Sequence, residues 1–138
     1  MAKPIPAGWH SVTPRLVAND PAQLVEFLKQ AFAATGTYNQ NRPSEIRIGD
    51  SIVMVSGITE GVPSNPAYLY LYLADVDAAY ARALKGGAIS IDAPRDMHYG
   101  DRRATIRDPA GNTWQIATHI DDVAPAEIEA RLGKVRSN

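Results

Sequence analysis

Two aspartates set the plan of this chain. Asp20 and Asp75 each follow a run of alternating residues, and each opens a helical pattern. Asp20 stands directly before Pro21, which joins an N-cap acceptor to a proline at the first helical position. Leu24, Phe27, Leu28 and Phe32 then recur at helical spacing, and Gly36 ends the element. After Asp75, the residues Val76, Tyr80, Ala83 and Leu84 form a second apolar stripe, closed by Gly86 and Gly87. A strand and a capped helix that occur twice predict two modules of one plan.

Strands fill the remainder. Residues 12–18 alternate, and Pro14 among them points to an edge position, since proline cannot donate to a ladder. Residues 37–41 read as a short polar strand, and 45–48 with 52–56 as a hairpin around Gly49-Asp50-Ser51. Breakers fill 57–66, a linker. The order then restarts: a strand at 68–73, the second helix, a strand at 88–91, a loop at 92–100, and a final hairpin over 102–119. In that hairpin Asp108, Pro109, Gly111 and Asn112 supply the turn. Ala104 and Ile106 lead in, and Trp114 and Ile116 lead out, all on one face. A helix at 124–132, capped by Gly133, completes a single domain over 1–138, with modules at 12–56 and 67–119. Asp20 and Asp75 are 55 residues apart, Gly49 and Gly111 are 62 apart, and the 92–100 loop absorbs the difference.

Composition excludes several classes. With 138 residues, 45% hydrophobic and 21% charged, the chain can build a core and is not disordered. A formal charge of −1 offers no field for nucleic acid or an anionic membrane. No apolar run approaches the ~18 residues of a membrane span, and the proline-rich start lacks the apolar centre of a signal peptide. The absence of cysteine removes disulfides, thiolate ligands and thiol nucleophiles. The expectation is a cytoplasmic protein with neither nucleic acid nor membrane as partner. Lys85-Gly86-Gly87 closes a helix rather than opening one, so it is no phosphate loop. No Ser/His/Asp grouping has supporting context, and no catalytic residue is assigned.

Paired βαβββ modules with an Asp-led helix in each, ending in DPAGNTWQI, resemble the vicinal-oxygen-chelate superfamily of glyoxalase I, bleomycin-resistance proteins and extradiol dioxygenases. VTPRLVANDPAQLVEFLKQAF, IRIGDSIVMVS and YGDRRATIRDPAGNTWQIATHIDDV are similar to its PhnB-like branch. The resemblance implies an α+β fold in which two βαβββ modules form curved mixed sheets, each half of a cup, and it implies a homodimer. It also implies metal positions on the first and last strands of each module. With the offsets above these are Thr13, Tyr68, Val53 and Gln115. Valine, two hydroxyls and one amide do not make a metal site. Pro43 stands where PhnB-like relatives often carry a histidine. His10 has the wrong parity, His98 lies in a loop, and His119 sits four residues, about 13 Å, beyond Gln115. No metal and no cofactor are expected.

Tyr68, Tyr70 and Tyr72 alternate with Leu69, Leu71 and Leu73, so the leucines should pack on the helices and the tyrosines should face the cup. The same parity sends Thr13, Arg15, Val17, Glu45, Arg47, Val53, Val55, Arg103, Thr105 and Arg107 cupward. The expected ligand-binding residues are Tyr68, Tyr70, Tyr72, Tyr99, Arg102, Arg47, Gln115 and His119. Tyrosines suit a planar or amphipathic small molecule, and arginines suit an anionic group on it. The function expected is metal-free binding of a small organic ligand. The alternatives are a lyase, isomerase or dioxygenase of the same superfamily, or a partner-binding module whose cup is filled by its own side chains.

Overall fold

Both caps form as the sequence requires. In the computed structural model, which describes residues 2–59 and 61–137, Asp20 accepts from the Gln23 N–H at 3.1 Å and starts α1 (Pro21–Phe32). Asp75 accepts from the Ala78 N–H at 3.1 Å and starts α2 (Val76–Lys85). Before α1 comes β1 (Arg15–Ala18), and after it β2 (Ser44–Ile48) and β3 (Ser51–Gly57). Before α2 comes β4 (Tyr68–Tyr72), and after it β5 (Ile89–Asp96), β6 (Asp101–Arg107) and β7 (Thr113–His119). The last element is α3 (Pro125–Ser137).

The sheets repeat one topology. The first has the order β1-β3-β2 and the second β4-β7-β6-β5. In each, the strand before the helix lies parallel to the last strand, and the hairpin strands are antiparallel. The two modules share one core. Leu16, Ile46, Val55, Ile106, Trp114 and Ile116 are buried with Leu24, Phe27 and Leu28 of α1 and Ala79 and Ala83 of α2. The ring of Phe32 lies 5.0 Å from that of Trp114, joining the first helix to the last strand. Arg82 of α2 donates to the Ala31 carbonyl at 3.2 Å, tying the helices together.

The turn between β6 and β7 is held by one buried carboxylate. Asp108 accepts from the Ala110 and Asn112 N–H groups on Oδ1, and from the Asn112 amide and the Trp114 indole on Oδ2. Asn112 in turn accepts from the Ala67 N–H at 2.9 Å, so the turn also fixes the start of β4. Gly111 takes φ 93°, which the turn needs.

Several boundaries differ from the expectation. Residues 37–41 form no strand; Thr35 alone bridges to Arg47, and the Asn39 side chain accepts from the Asn41 N–H, bending the chain locally. β1 begins only at Arg15, after Pro14, whose carbonyl still accepts from Met54. α1 ends at Ala33 (φ 55°), before Gly36. β5 runs to Asp96 through two register irregularities, so much of the expected 92–100 loop is strand. α3 continues past Gly133. No helix among the described residues is long and apolar enough to cross a membrane.

Candidate functional site

Sheet pairing fixes the correspondence between modules. Arg15 pairs Met54, which pairs Glu45; Tyr70 pairs Gln115, which pairs Thr105. Arg15 therefore matches Tyr70, Met54 matches Gln115, and Glu45 matches Thr105. The spacing across the last strands is 61 residues, not the 62 read from the glycines. The second turn holds one residue more than the first, so equating Gly49 with Gly111 slips β3 by one residue. A slip of one turns every side chain over. Val53 and Val55 accordingly point into the core, 4% and 1% exposed, not toward the cup. Met54, half-buried, takes the place assigned to Val53. Thr13, Val53, Tyr68 and Gln115 do not converge, because Val53 lies on the opposite face.

The tyrosines behave as their parity requires. Leu69, Leu71 and Leu73 pack on the core, while Tyr68, Tyr70 and Tyr72 are 68%, 40% and 60% exposed on the other face. In the single chain that face is open. Across it Gln115 and His119 of β7, and Asp101, Arg103 and Thr105 of β6, share the side of the tyrosines.

Asp101 organises the end of this face. Its side chain is 1% exposed, and Oδ2 accepts from the Tyr70 hydroxyl at 2.6 Å and the Tyr72 hydroxyl at 2.8 Å. Oδ1 pairs with His119 Nδ1 at 2.8 Å, and His119 Nε2 pairs with Asp122 at 2.7 Å. The Tyr70 proton is used on Asp101, so in the 3.0 Å pair with Tyr99 it is Tyr99 that donates. Arg103 donates to the Tyr99 hydroxyl at 3.1 Å. A directed chain thus runs from Arg103 through Tyr99 and Tyr70 to Asp101, each bond polarising the next. Arg103 also lies 3.8 Å from Asp92, and its Nε is buried without a hydrogen-bond partner among the described residues.

The electrostatics follow. Burial pushes the Asp101 carboxyl up, but bonds from Tyr70, His119 and Tyr72 outweigh it and hold it below the usual carboxylate range. His119 is raised by its bonds to Asp101 and then Asp122, which favour the imidazolium with both nitrogens donating. Tyr70 is raised by burial and by its bonds to Asp101 and Tyr99, and stays protonated. Tyr72 is raised chiefly by its bond to Asp101. The hydroxyls are committed within the protein, leaving ring faces to meet a ligand.

Of the eight expected residues, Tyr70, Tyr72, Tyr99 and His119 come together in this cluster. Tyr68 and Gln115 lie on the same face without side-chain hydrogen bonds among the described residues. Arg102 does not belong. Its position in β6 has the other parity, and it bonds Asp77 of α2 at 2.8 Å and Asp96 at 3.0 Å on the helix side. Arg47 lies on the other sheet, where it donates to the Gly8 carbonyl at 3.4 Å. Of the cupward arginines, Arg103 joins the cluster and Arg107, at the turn end of β6, is exposed. Asp101 was missed as a site residue, although its parity with Arg103 and Thr105, and its position facing the end of β7, placed it among the tyrosines.

No group of three or more His, Asp or Glu side chains able to hold a metal ion forms among the described residues. The positions that the resemblance implies for metal ligands present the hydroxyls of Thr13 and Tyr68, the amide of Gln115 and, in the place assigned to Val53, Met54. This donor set does not fit a divalent ion.

A model of a glyoxalase-like domain matches residues 11–117. An uncharacterized protein of Mycobacterium bovis is 27% identical over 139 aligned residues, covering 88% of this chain and 91% of the relative. The crystal structure of TioX from Micromonospora sp. ML1 superposes with a TM-score of 0.68 at 22% identity, covering 80% of this chain and 99% of that one. A glyoxalase/bleomycin resistance protein/dioxygenase family enzyme from Burkholderia phytofirmans PsJN gives 0.66 at 17%, covering 77% and 95%. These likenesses establish the fold expected from the sequence. With the match spanning most of its length, the chain belongs to the family of glyoxalase-like domains.

Proposed function

We propose that this protein binds a small planar organic molecule on the tyrosine face, without a metal ion. The observation that carries this reading is the use of both the Tyr70 and Tyr72 hydroxyls on Asp101 while the rings stay 40% and 60% exposed. Anchoring fixes the rings, whose centroids lie 5.2 Å apart, at little further entropic cost on binding. Gln115 supplies a free amide beside them, and Arg103 favours a partner with an acceptor or anionic group. In this reading a second copy of the chain closes the open face over the ligand, covering Ile89 at its edge. Within the superfamily, the YGDR segment and the final hairpin favour the PhnB-like branch.

A thermal-shift screen with planar aromatic molecules that carry acceptor or anionic groups, followed by calorimetry, tests the reading. Ligands should raise the melting temperature of the wild type, and Tyr68→Ala should weaken them. Silence across a broad library contradicts it. So does stoichiometric tight uptake of Ni²⁺, Zn²⁺, Mn²⁺ or Fe²⁺, which instead supports a metal-dependent lyase, isomerase or dioxygenase.

A further inference from the structure

The match between modules exposes a difference with chemical consequences. In the second module β6 stays paired with β7 as far as Asp101 and His119. In the first, β2 pairs with β3 only as far as Ser44 and Val55. Pro43, the next residue back, has no N–H to continue the ladder, and the chain leaves the sheet. Counting back from Ser44 and Ala104, Pro43 stands where the second module has Arg103, and Asn41 where it has Asp101. Arg15 stands at the place of Tyr70. Arg15, at the place of Tyr70, and Asn41, at the place of Asp101, both line a cavity of about 300 Å³.

Its lining is cationic and amide-rich. Arg15 and Arg42 line it with Tyr38, Asn39, Ser56 and Val55, and none of the described lining residues is acidic. Glu45 lines the neighbouring cleft instead. Arg15 Nε donates to Ser56 Oγ at 3.1 Å, which orients the guanidinium and leaves both terminal nitrogens for a ligand. Arg42 makes no side-chain hydrogen bond or ion pair among the described residues. The loop carrying Arg42 is preformed: the Asn39 N–H donates at 2.7 Å to Ser44 Oγ, which is 1% exposed, and the Asn39 side chain accepts from Asn41.

We propose that this cavity is a second site, which binds a small organic anion: a carboxylate or phosphate head between Arg15 and Arg42, with a flat body against Tyr38. Paired guanidinium donors suit either head group. Arg15 holds the fold position of Tyr70, so the modules present different chemistries from one scaffold.

Calorimetric titration with benzoate and phenyl phosphate, with neutral benzamide alongside, tests the assignment. Both anions should bind with an affinity that depends on Arg42, benzamide should show no such dependence, and added salt should weaken anion binding. The stronger anion identifies the head group. Arg42→Gln, which breaks no side-chain hydrogen bond or ion pair among the described residues, should weaken anion binding about tenfold or more. Arg15→Lys should retain more binding than Arg15→Gln, and Tyr68→Ala, which removes a ring from the tyrosine face, should leave anion binding at the cavity unchanged, which separates the two sites. Benzamide binding that is as tight and as dependent on Arg42, no binding of either anion at millimolar concentration, affinity indifferent to both arginines, or a loss with Tyr68→Ala overturns the proposal.

Discussion

The Tyr70 hydroxyl and the Asp101 carboxylate, 31 residues apart in sequence, meet at 2.6 Å. The bond links β4 to the start of β6 across the intervening β7. It makes a buried carboxylate the anchor of the aromatic face, and its removal has a definite cost. In Asp101→Asn one oxygen becomes an amide NH₂ that meets a hydroxyl or imidazole donor. Stability should fall by about 2–3 kcal/mol, with the urea midpoint as the readout. A change under 0.5 kcal/mol would mean that the network holds nothing in place.

The network also has a pH signature. His119 is raised above its usual 6.5, so its contribution is complete below that value and is lost as pH rises through its folded value. Asp101 is lowered below its usual 3.8, so its contribution is complete above that value and is lost as pH falls through its folded value. Both are present in full between about pH 4 and 6.5. His119→Gln should flatten the alkaline limb of the stability profile and leave the acid limb. NMR titration of His119 should give a midpoint above 6.5 that falls in Asp101→Asn.

The tyrosines separate binding from stability to different degrees. Tyr70→Ala removes a donor from Asp101 and should lower stability along with any ligand affinity. Tyr68, 68% exposed and without a side-chain hydrogen bond among the described residues, is the cleaner probe. Tyr68→Ala should change stability by no more than about 0.5 kcal/mol while weakening the ligand. Equal effects on both would make the stripe packing material for another surface.

Asp108 tests the turn rather than the site. Its carboxylate is 3% exposed and accepts four bonds. Asp108→Ala strands the indole N–H of Trp114 and the amide of Asn112 in the core, and should cost about 3 kcal/mol or more. Asp108→Asn should cost less, since it keeps one accepting oxygen. Chemical denaturation distinguishes them.

Much of this was legible from spacing alone. Asp20-Pro21 and Asp75 marked two helix starts because a cap is a local device, and Ala104, Ile106, Trp114 and Ile116 marked the buried face of the last hairpin. Tyr68, Tyr70 and Tyr72 likewise declared their side. What failed were comparisons between distant segments. One extra residue in the second turn sent Val53 and Val55 to the wrong face, which no local pattern reveals. Arg102 followed Asp101 in the sequence but faces α2, because adjacent strand residues point to opposite sides. Asp101 carries no local site signal in the sequence because its partners, Tyr70, Tyr72 and His119, arrive only through sheet pairing. In the sequence Pro43 counts only as an absent histidine, whereas in the structure it ends a ladder at the wall of a cavity.

The account rests on the aromatic face as a binding surface. The measurement that tests it most directly is a crystal structure of the protein soaked with the best planar ligand from the thermal-shift screen. The account predicts the ligand ring about 4 Å from the rings of Tyr70 and Tyr72, their hydroxyls still on Asp101, and no metal ion in between. A ligand coordinated to a metal ion at Gln115, or seated elsewhere while protein side chains fill the tyrosine face, would contradict it.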